Sequence, residues 1–147
     1  LTLKIKEGYS IKANLERTWD MLMDPTILEQ CIPGCESLTV SKEDVFEGKI
    51  KLGIAVVKGI YEGKVRILNK DKPEHFKMVL DGKGTLGIIH AEAIIHLYQR
   101  EKDATYIEID SEAAISGTLA RVGQRLMGGA AKMLFRQFFN SLEKMAR

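Results

Sequence analysis

Cysteine is scarce in this chain: Cys31 and Cys35 are the only two among 147 residues. Two thiols make no disulfide scaffold, and the spacing Cys31-Ile32-Pro33-Gly34-Cys35 is not the C-x-x-C of redox or zinc sites. Zinc would need two further ligands, while His75, His90 and His96 fall on predicted strands or turns far along the chain. No metal and no cofactor is therefore expected. No apolar run approaches the roughly 18 residues needed to cross a bilayer. A net charge of +2 is too small to indicate nucleic acid. The opening stretch from Leu1 to Ile11 alternates instead of forming a continuous apolar block, so neither a secretory signal nor an anchor is expected, and a reducing cytoplasmic setting follows. Catalytic groupings are missing as well. Glu108, Asp110 and Glu112 alternate on an outward face, Ser111 has no histidine of evident proximity, and Gly82 to Gly87 lacks the lysine of a phosphate-binding loop. The expectation is a protein that is not an enzyme.

What the chain does carry is alternation. Leu3, Ile5, Tyr9 and Ile11 share one parity against Lys4, Lys6 and Ser10, which predicts a half-buried strand. Asn14 is suited to cap a short helix through Met23, with Leu15, Trp19 and Leu22 on one side. Asp24-Pro25 then starts a second short helix, Thr26 to about Gln30, ended by Pro33-Gly34. Strands are predicted at Glu36 to Val40, Val45 to Leu52 and Val57 to Leu68, around Phe76 to Leu80, from Ala91 to Leu97, and from Ile107 to Ile115. Between them lie polar turns at Lys70 to Pro73 and Gln99 to Ala104, and a glycine-rich loop at Gly82 to Gly87. The inner parity mixes medium aliphatics with Gly48, Gly59, Gly63, Ala91, Ala93, Ser111 and Ala113.

The only sustained helical pattern runs from Thr118 to Arg147, a rod of roughly 45 Å. At about 100° per residue, Leu119, Val122, Leu126, Ala130, Met133, Leu134 and Leu142 fall on one sector, with Gly123 and Gln137 among them. Arg121, Arg125, Lys132 and Arg136 fall opposite. Gly123, Gly128 and Gly129 each cost about 1 kcal/mol of helix stability relative to alanine. Two accounts are open: close packing on a bulky neighbour, or room for a ligand or a hinge. Phe135 and Phe139 are neighbours outside the central apolar sector, Phe139 near the cationic stripe. Either they pack under the first helix or a terminal strand, or they join Arg121, Arg125, Lys132 and Arg136 in a surface for an acidic protein patch or an anionic leaflet. An apolar-faced sheet with so few helices to cover it predicts one α+β domain over residues 1–147, with an antiparallel sheet curled round the long helix. Small inner residues then leave either a close helix–sheet approach or an apolar cavity.

Three blocks add to this reading: D-P-x-x-L-x-x-C-I-P-G-C-E (Asp24 to Glu36), V-K-G-x-Y-x-G-K-V (Val57 to Val65), and G-x-L-A-x-x-G-Q-R-L (Gly117 to Leu126) followed by Phe138-Phe139. In these, over essentially its whole length, the chain resembles the carbon monoxide dehydrogenase CoxG family of the START-like, Bet v 1-like (SRPBCC) superfamily. That resemblance implies a helix-grip fold of seven antiparallel strands, with two short helices after strand 1. It implies an apolar cavity walled by Trp19, Leu22, Phe46, Ile50, Tyr61, Val65, Met78, Leu80, Ala93, Ile107, Ile109, Leu119, Val122 and Leu126. The turn of Cys31, Ile32, Pro33, Gly34 and Cys35 would lie at the cavity entrance. It implies an apolar small-molecule ligand, such as a quinone or a lipid, and an accessory role, in membrane recruitment or in carrying quinone, beside a molybdenum hydroxylase complex of the carbon monoxide dehydrogenase type as partner. Membrane contact would be peripheral at most, at the inner face, since the chain ends at Lys144 and Arg147 without a strongly basic tail. Two rival roles are an assembly factor with an incidental cavity and a hydrolase or cyclase. The last would need an inward acid or histidine, and no such residue is evident by parity.

Overall fold

A computed structural model describes residues 1–147. The chain opens with strand β1 (Thr2–Ile11), followed by helices α1 (Leu15–Met23) and α2 (Pro25–Cys31). Asn14 caps α1 by accepting the Arg17 backbone N–H at 2.8 Å. Asp24 caps α2 by accepting from the Thr26 N–H at 2.9 Å, with Pro25 at the first helical position, where a missing N–H costs nothing. Trp19 and Leu22 on the buried face of α1 drive its docking, and Trp19 meets Phe76 edge-on with ring centroids 5.5 Å apart.

The meander follows: β2 (Cys35–Lys42), β3 (Val45–Leu52), β4 (Gly59–Asp71), β5 (His75–Gly84), β6 (Gly87–Glu101) and β7 (Ala104–Ser116). All seven strands form one antiparallel sheet in the order β1-β7-β6-β5-β4-β3-β2, so that each strand from β2 onward pairs with its successor and β1 closes against β7. The α+β helix-grip architecture read from the sequence is the one observed. Alternation sets the register: Phe46, Val65, Leu80 and Ala91 are cross-strand partners in succession on the concave face.

Three local expectations are corrected. Val57 belongs to a short 3-10 turn (Ala55–Val57), and its carbonyl accepts from the Tyr61 hydroxyl at 2.7 Å, so β4 starts only at Gly59. The predicted glycine loop is mostly strand, because β5 runs to Gly84 and β6 starts at Gly87. The Tyr61 ring lies where a Cβ on Gly84 would stand, so glycine serves close approach there and not an open loop.

The third correction concerns the long helix. Gly117 to Val122 forms a separate 3-10 segment bounded by Gly117 at φ +79° and Gly123 at φ +91°, and α3 runs only from Gln124 to Ala146. Leu119 and Val122 therefore do not share the phase of α3. The buried face of α3 is Met127, Ala130, Phe139 and Leu142, while Leu126 is 55% exposed and Met133 41%. A helix phase set from Leu119 and Val122 turns these two side chains inward, which is why the sequence pattern misplaces them. Arg121, Arg125, Lys132 and Arg136 are exposed.

Candidate functional site

The concave face is filled from its two ends. A large cluster joins Trp19, Leu22 and Cys31 of the short helices to Phe46, Ala93, Ile107 and Ile109 of the sheet and Phe139 and Leu142 of α3. A smaller one joins Val57, Ile115 and Leu119 to Met127 and Ala130. Between them, Ile50, Leu80 and Ala91 from the sheet and Leu134 from α3 are half-buried and pack against neither cluster. The nearest backbone approaches of α3 are to β1, α2 and the turn Ala55–Val57, elements at the rim of the sheet. The helix thus spans the concave face more than it presses on its centre.

The residues named for a cavity wall distribute accordingly. Trp19, Leu22, Phe46, Ala93, Ile107 and Ile109 lie inside the large cluster, with Val65 and Met78 packed against it. Leu119 lies inside the small cluster, with Tyr61 and Val122 packed against it. Ile50 and Leu80 lie between the two. Leu126 is corrected: it points to solvent for the reason of helix phase given above. The α3 glycines are settled in part. A Cβ on Gly129 would meet nothing within 4 Å and one on Gly128 only the Leu3 side chain at 3.8 Å, so close packing does not require either glycine.

At the proposed entrance, Gly34 at φ +71° makes the turn and its carbonyl accepts from the Lys51 N–H at 2.9 Å. Ile32 and Pro33 are half-buried and Gly34 is exposed. Cys31 is buried in the large cluster, inside the wall and not at an opening, because it closes the last turn of α2 over the core. Both thiols are free, and burial raises the pKa of each, with Glu29 adding to the rise at Cys35, so they stay protonated and unreactive near neutrality.

On the cationic side, Phe139 takes the packed alternative, against a terminal strand, and so leaves the surface set. It is buried and stacks on Tyr9 of β1, with ring centroids 4.4 Å apart, and Phe138 meets it edge-on at 5.0 Å. Phe135 is half-buried against the large cluster. The large apolar side chains that are exposed on α3 are Leu126 and Met133.

One residue escaped the sequence reading. Glu7 has the inner parity of Ile5 and Tyr9, opposite Ile109, and its carboxylate lies 4.0 Å from the Lys132 ammonium. Parity alone could have flagged it. Burial raises the Tyr9 pKa, the Glu7 charge adds to the rise, and Arg136 opposes it. On the outer face His90 lies 2.6 Å from Asp81 and 3.7 Å from Glu92, and the Asp81 hydrogen bond raises its pKa. No three His, Cys, Asp or Glu side chains converge as a metal site, and no helix is long and apolar enough to cross a membrane.

Comparison with known proteins agrees with this geometry. A conserved protein from Geobacillus kaustophilus is 34% identical, with 99% of this chain and 95% of that one covered at a TM-score of 0.94. A START superfamily protein from Mycobacterium smegmatis shares the fold at 11% identity, a TM-score of 0.76 and coverage of 97% and 96%. The Zhui aromatase/cyclase from Streptomyces sp. R1128 shares it at 8% identity, a TM-score of 0.73 and coverage of 99% and 94%. No curated protein matches. The family model for the carbon monoxide dehydrogenase component CoxG matches residues 8–146, and with the START-like fold and the three sequence blocks in place, the chain belongs to the CoxG family.

Proposed function

We propose that this protein binds an apolar small molecule, quinone-like or lipid-like, between α3 and the concave face, and carries it as an accessory to an enzyme of the carbon monoxide dehydrogenase type. The observation behind this reading is the band of half-buried apolar side chains, Ile50, Leu80, Ala91 and Leu134, left between two packed clusters. Well-packed interiors rarely leave such a band without an occupant. Apolar side chains dominate this level of the sheet, and the Ser111 hydroxyl there is taken up by the Ile5 carbonyl at 3.1 Å, which supports a binding role over a chemical one. The family supports the accessory role. The setting that suits it is cytoplasmic, with peripheral membrane contact at most.

Native mass spectrometry of untreated against lipid-extracted protein tests the reading: a mass difference should be present before extraction and return on adding a naphthoquinone or a fatty acid. Ala93→Trp is a poor plug, because Ala93 is 5% exposed inside the large cluster and a bulky side chain there overpacks the core. Ala91→Trp places the ring among the half-buried side chains of the band, outside both packed clusters, and should remove uptake. Unchanged uptake by a folded Ala91→Trp protein refutes the assignment.

A further inference from the structure

We propose that the free edge of β1 is a docking site for an extended acidic segment of a partner protein, which adds to the sheet as an eighth strand. Leu1 and Ile115 exchange both backbone hydrogen bonds, at 3.0 and 2.8 Å, which fixes the alternation along β1. Leu3, Ile5, Glu7, Tyr9 and Ile11 bond to β7, and the backbone groups of Thr2, Lys4, Lys6, Gly8 and Ser10 face away from the sheet.

Side chains of α3 occupy this edge only near its ends. Gln124 donates its Nε2 to the Thr2 carbonyl at 2.9 Å, and Glu143 accepts the Lys12 N–H at 2.9 Å, just beyond the strand. No partner meets the outward backbone groups of Lys4, Lys6, Gly8 or Ser10. A groove of about 900 Å³ runs beside this edge, between Thr2 to Ile5 and the α3 residues Gln124, Arg125, Gly128, Gly129 and Lys132. Gly129 leaves it open.

The other sheet edge is unlike this one. β2 carries two register shifts, between Cys35 and Ser37 and between Val40 and Lys42, which twist an edge away from further pairing. β1 pairs with β7 without a shift from Thr2 to Ile11. An unbulged edge beside a groove is suited to strand addition, where main-chain bonds supply affinity and side chains supply selectivity.

Charge selects the partner. The groove is lined by Lys4, Arg125 and Lys132 with no acid among its residues. Glu112 and Asp110 of β7 stand across from Lys4 and Lys6, Glu7 lies 4.0 Å from Lys132 and Glu143 sits at the far end, so the uncompensated positive charge belongs to the groove side of the edge. A second copy paired antiparallel about the Lys4 to Lys6 stretch would set lysine against lysine, so those registers of self-pairing are disfavoured. An acidic segment is favoured, with binding that weakens in salt. This inference does not depend on whether the interior holds a ligand.

The probe is a blocked, fluorescently labelled peptide of alternating glutamate and valine, with a lysine–valine peptide as control. Lys6→Pro removes an outward N–H while leaving the β7 ladder untouched, and Lys6→Ala removes the charge alone. Saturable binding of the acidic peptide is expected, weakened about tenfold or more by Lys6→Pro beyond the effect of Lys6→Ala, and about tenfold or more by the Arg125→Glu, Lys132→Glu pair. Hydrogen exchange on the wild-type protein covers the case in which a variant fails to fold: the peptide should slow the Lys4, Lys6 and Gly8 amides. Absence of saturable binding, equal binding of the basic peptide, or binding without slowed exchange at these amides overturns the proposal. So does a dimer of the protein alone that protects them.

Discussion

Replacing Phe139 by alanine tests the rotational setting of α3, which decides the faces the helix turns to the sheet and to solvent. Phe139 is 6% exposed and lies between Tyr9, stacked at 4.4 Å, and Phe138, edge-on at 5.0 Å. Truncating a buried phenylalanine costs about 3–5 kcal/mol, and of that about 0.5–1.5 kcal/mol reflects an aromatic pair. Tyr9 is only half-buried, so the site is close enough to solvent to relax, and the lower end, about 3 kcal/mol, is expected. For a chain of this size each kcal/mol moves the midpoint by about 2–4 °C, which gives a drop of about 6–12 °C. Leu126→Ala is the paired control: at 55% exposure it should change stability by no more than about 0.5 kcal/mol. Urea titrations followed by circular dichroism measure both. A Phe139→Ala protein as stable as wild type, or a Leu126→Ala protein equally damaged, would restore the helix phase inferred from sequence and refute a helix seated on Phe139.

Glycines of the same region should respond with opposite signs. Gly129→Ala is expected to stabilise by about 0.4–1 kcal/mol, since helix propensity improves and the new Cβ meets nothing. Gly123→Ala should destabilise by about 1–3 kcal/mol, because φ +91° with ψ 159° is a conformation essentially reserved for glycine, and thermal melts of the two variants would decide. His90 should titrate above its ordinary value, and Asp81→Asn should lower its pKa, as followed by NMR of the ring protons. Because the folded-state pKa is raised, the stabilising contribution is complete below the ordinary histidine value of 6.5 and is lost as pH rises through the elevated one. A stability that rises over that window through His90 would contradict the pairing.

Strands such as β4 and β7 are legible because period-two alternation survives in them, whereas the register shifts of β2 break it. Val45 to Leu52 has the same bounds in sequence pattern and in structure, and so does the end of α1 at Met23. Capping chemistry at Asn14 and Asp24 is local and readable for the same reason. The start of α3 is not. Gly117 and Gly123 bracket a 3-10 segment whose residues have the composition of a helix, and only their positive φ angles break the run. Carrying Leu119 and Val122 into the helical phase then turns Leu126 inward and Phe139 outward. The ring of Tyr61 over Gly84 is likewise a tertiary fact, invisible in a glycine-rich string. The site is readable as a parity of small residues. Which of them touch and which leave a gap depends on where α3 settles, and single-sequence periodicity does not carry that distance. Glu7 is readable too, and it is easily passed over because its neighbours of the same parity are all apolar.

The placement of β1 beside β7 also dictates an order of assembly. Strands β2 to β7 are joined as successive hairpins and can pair as they are made, whereas Thr2 meets Ala114 only after the intervening chain has been produced. Closing so long a loop carries an entropic cost that the local hairpins avoid. Until β1 arrives, the outer edge of β7 stands open, with Ile107 and Ile115 lacking the cover of Tyr9 and Leu1. β1 emerges before the six strands of the meander and is then among the last of the seven to be seated, and the interval before its docking is when the growing chain is most exposed to aggregation.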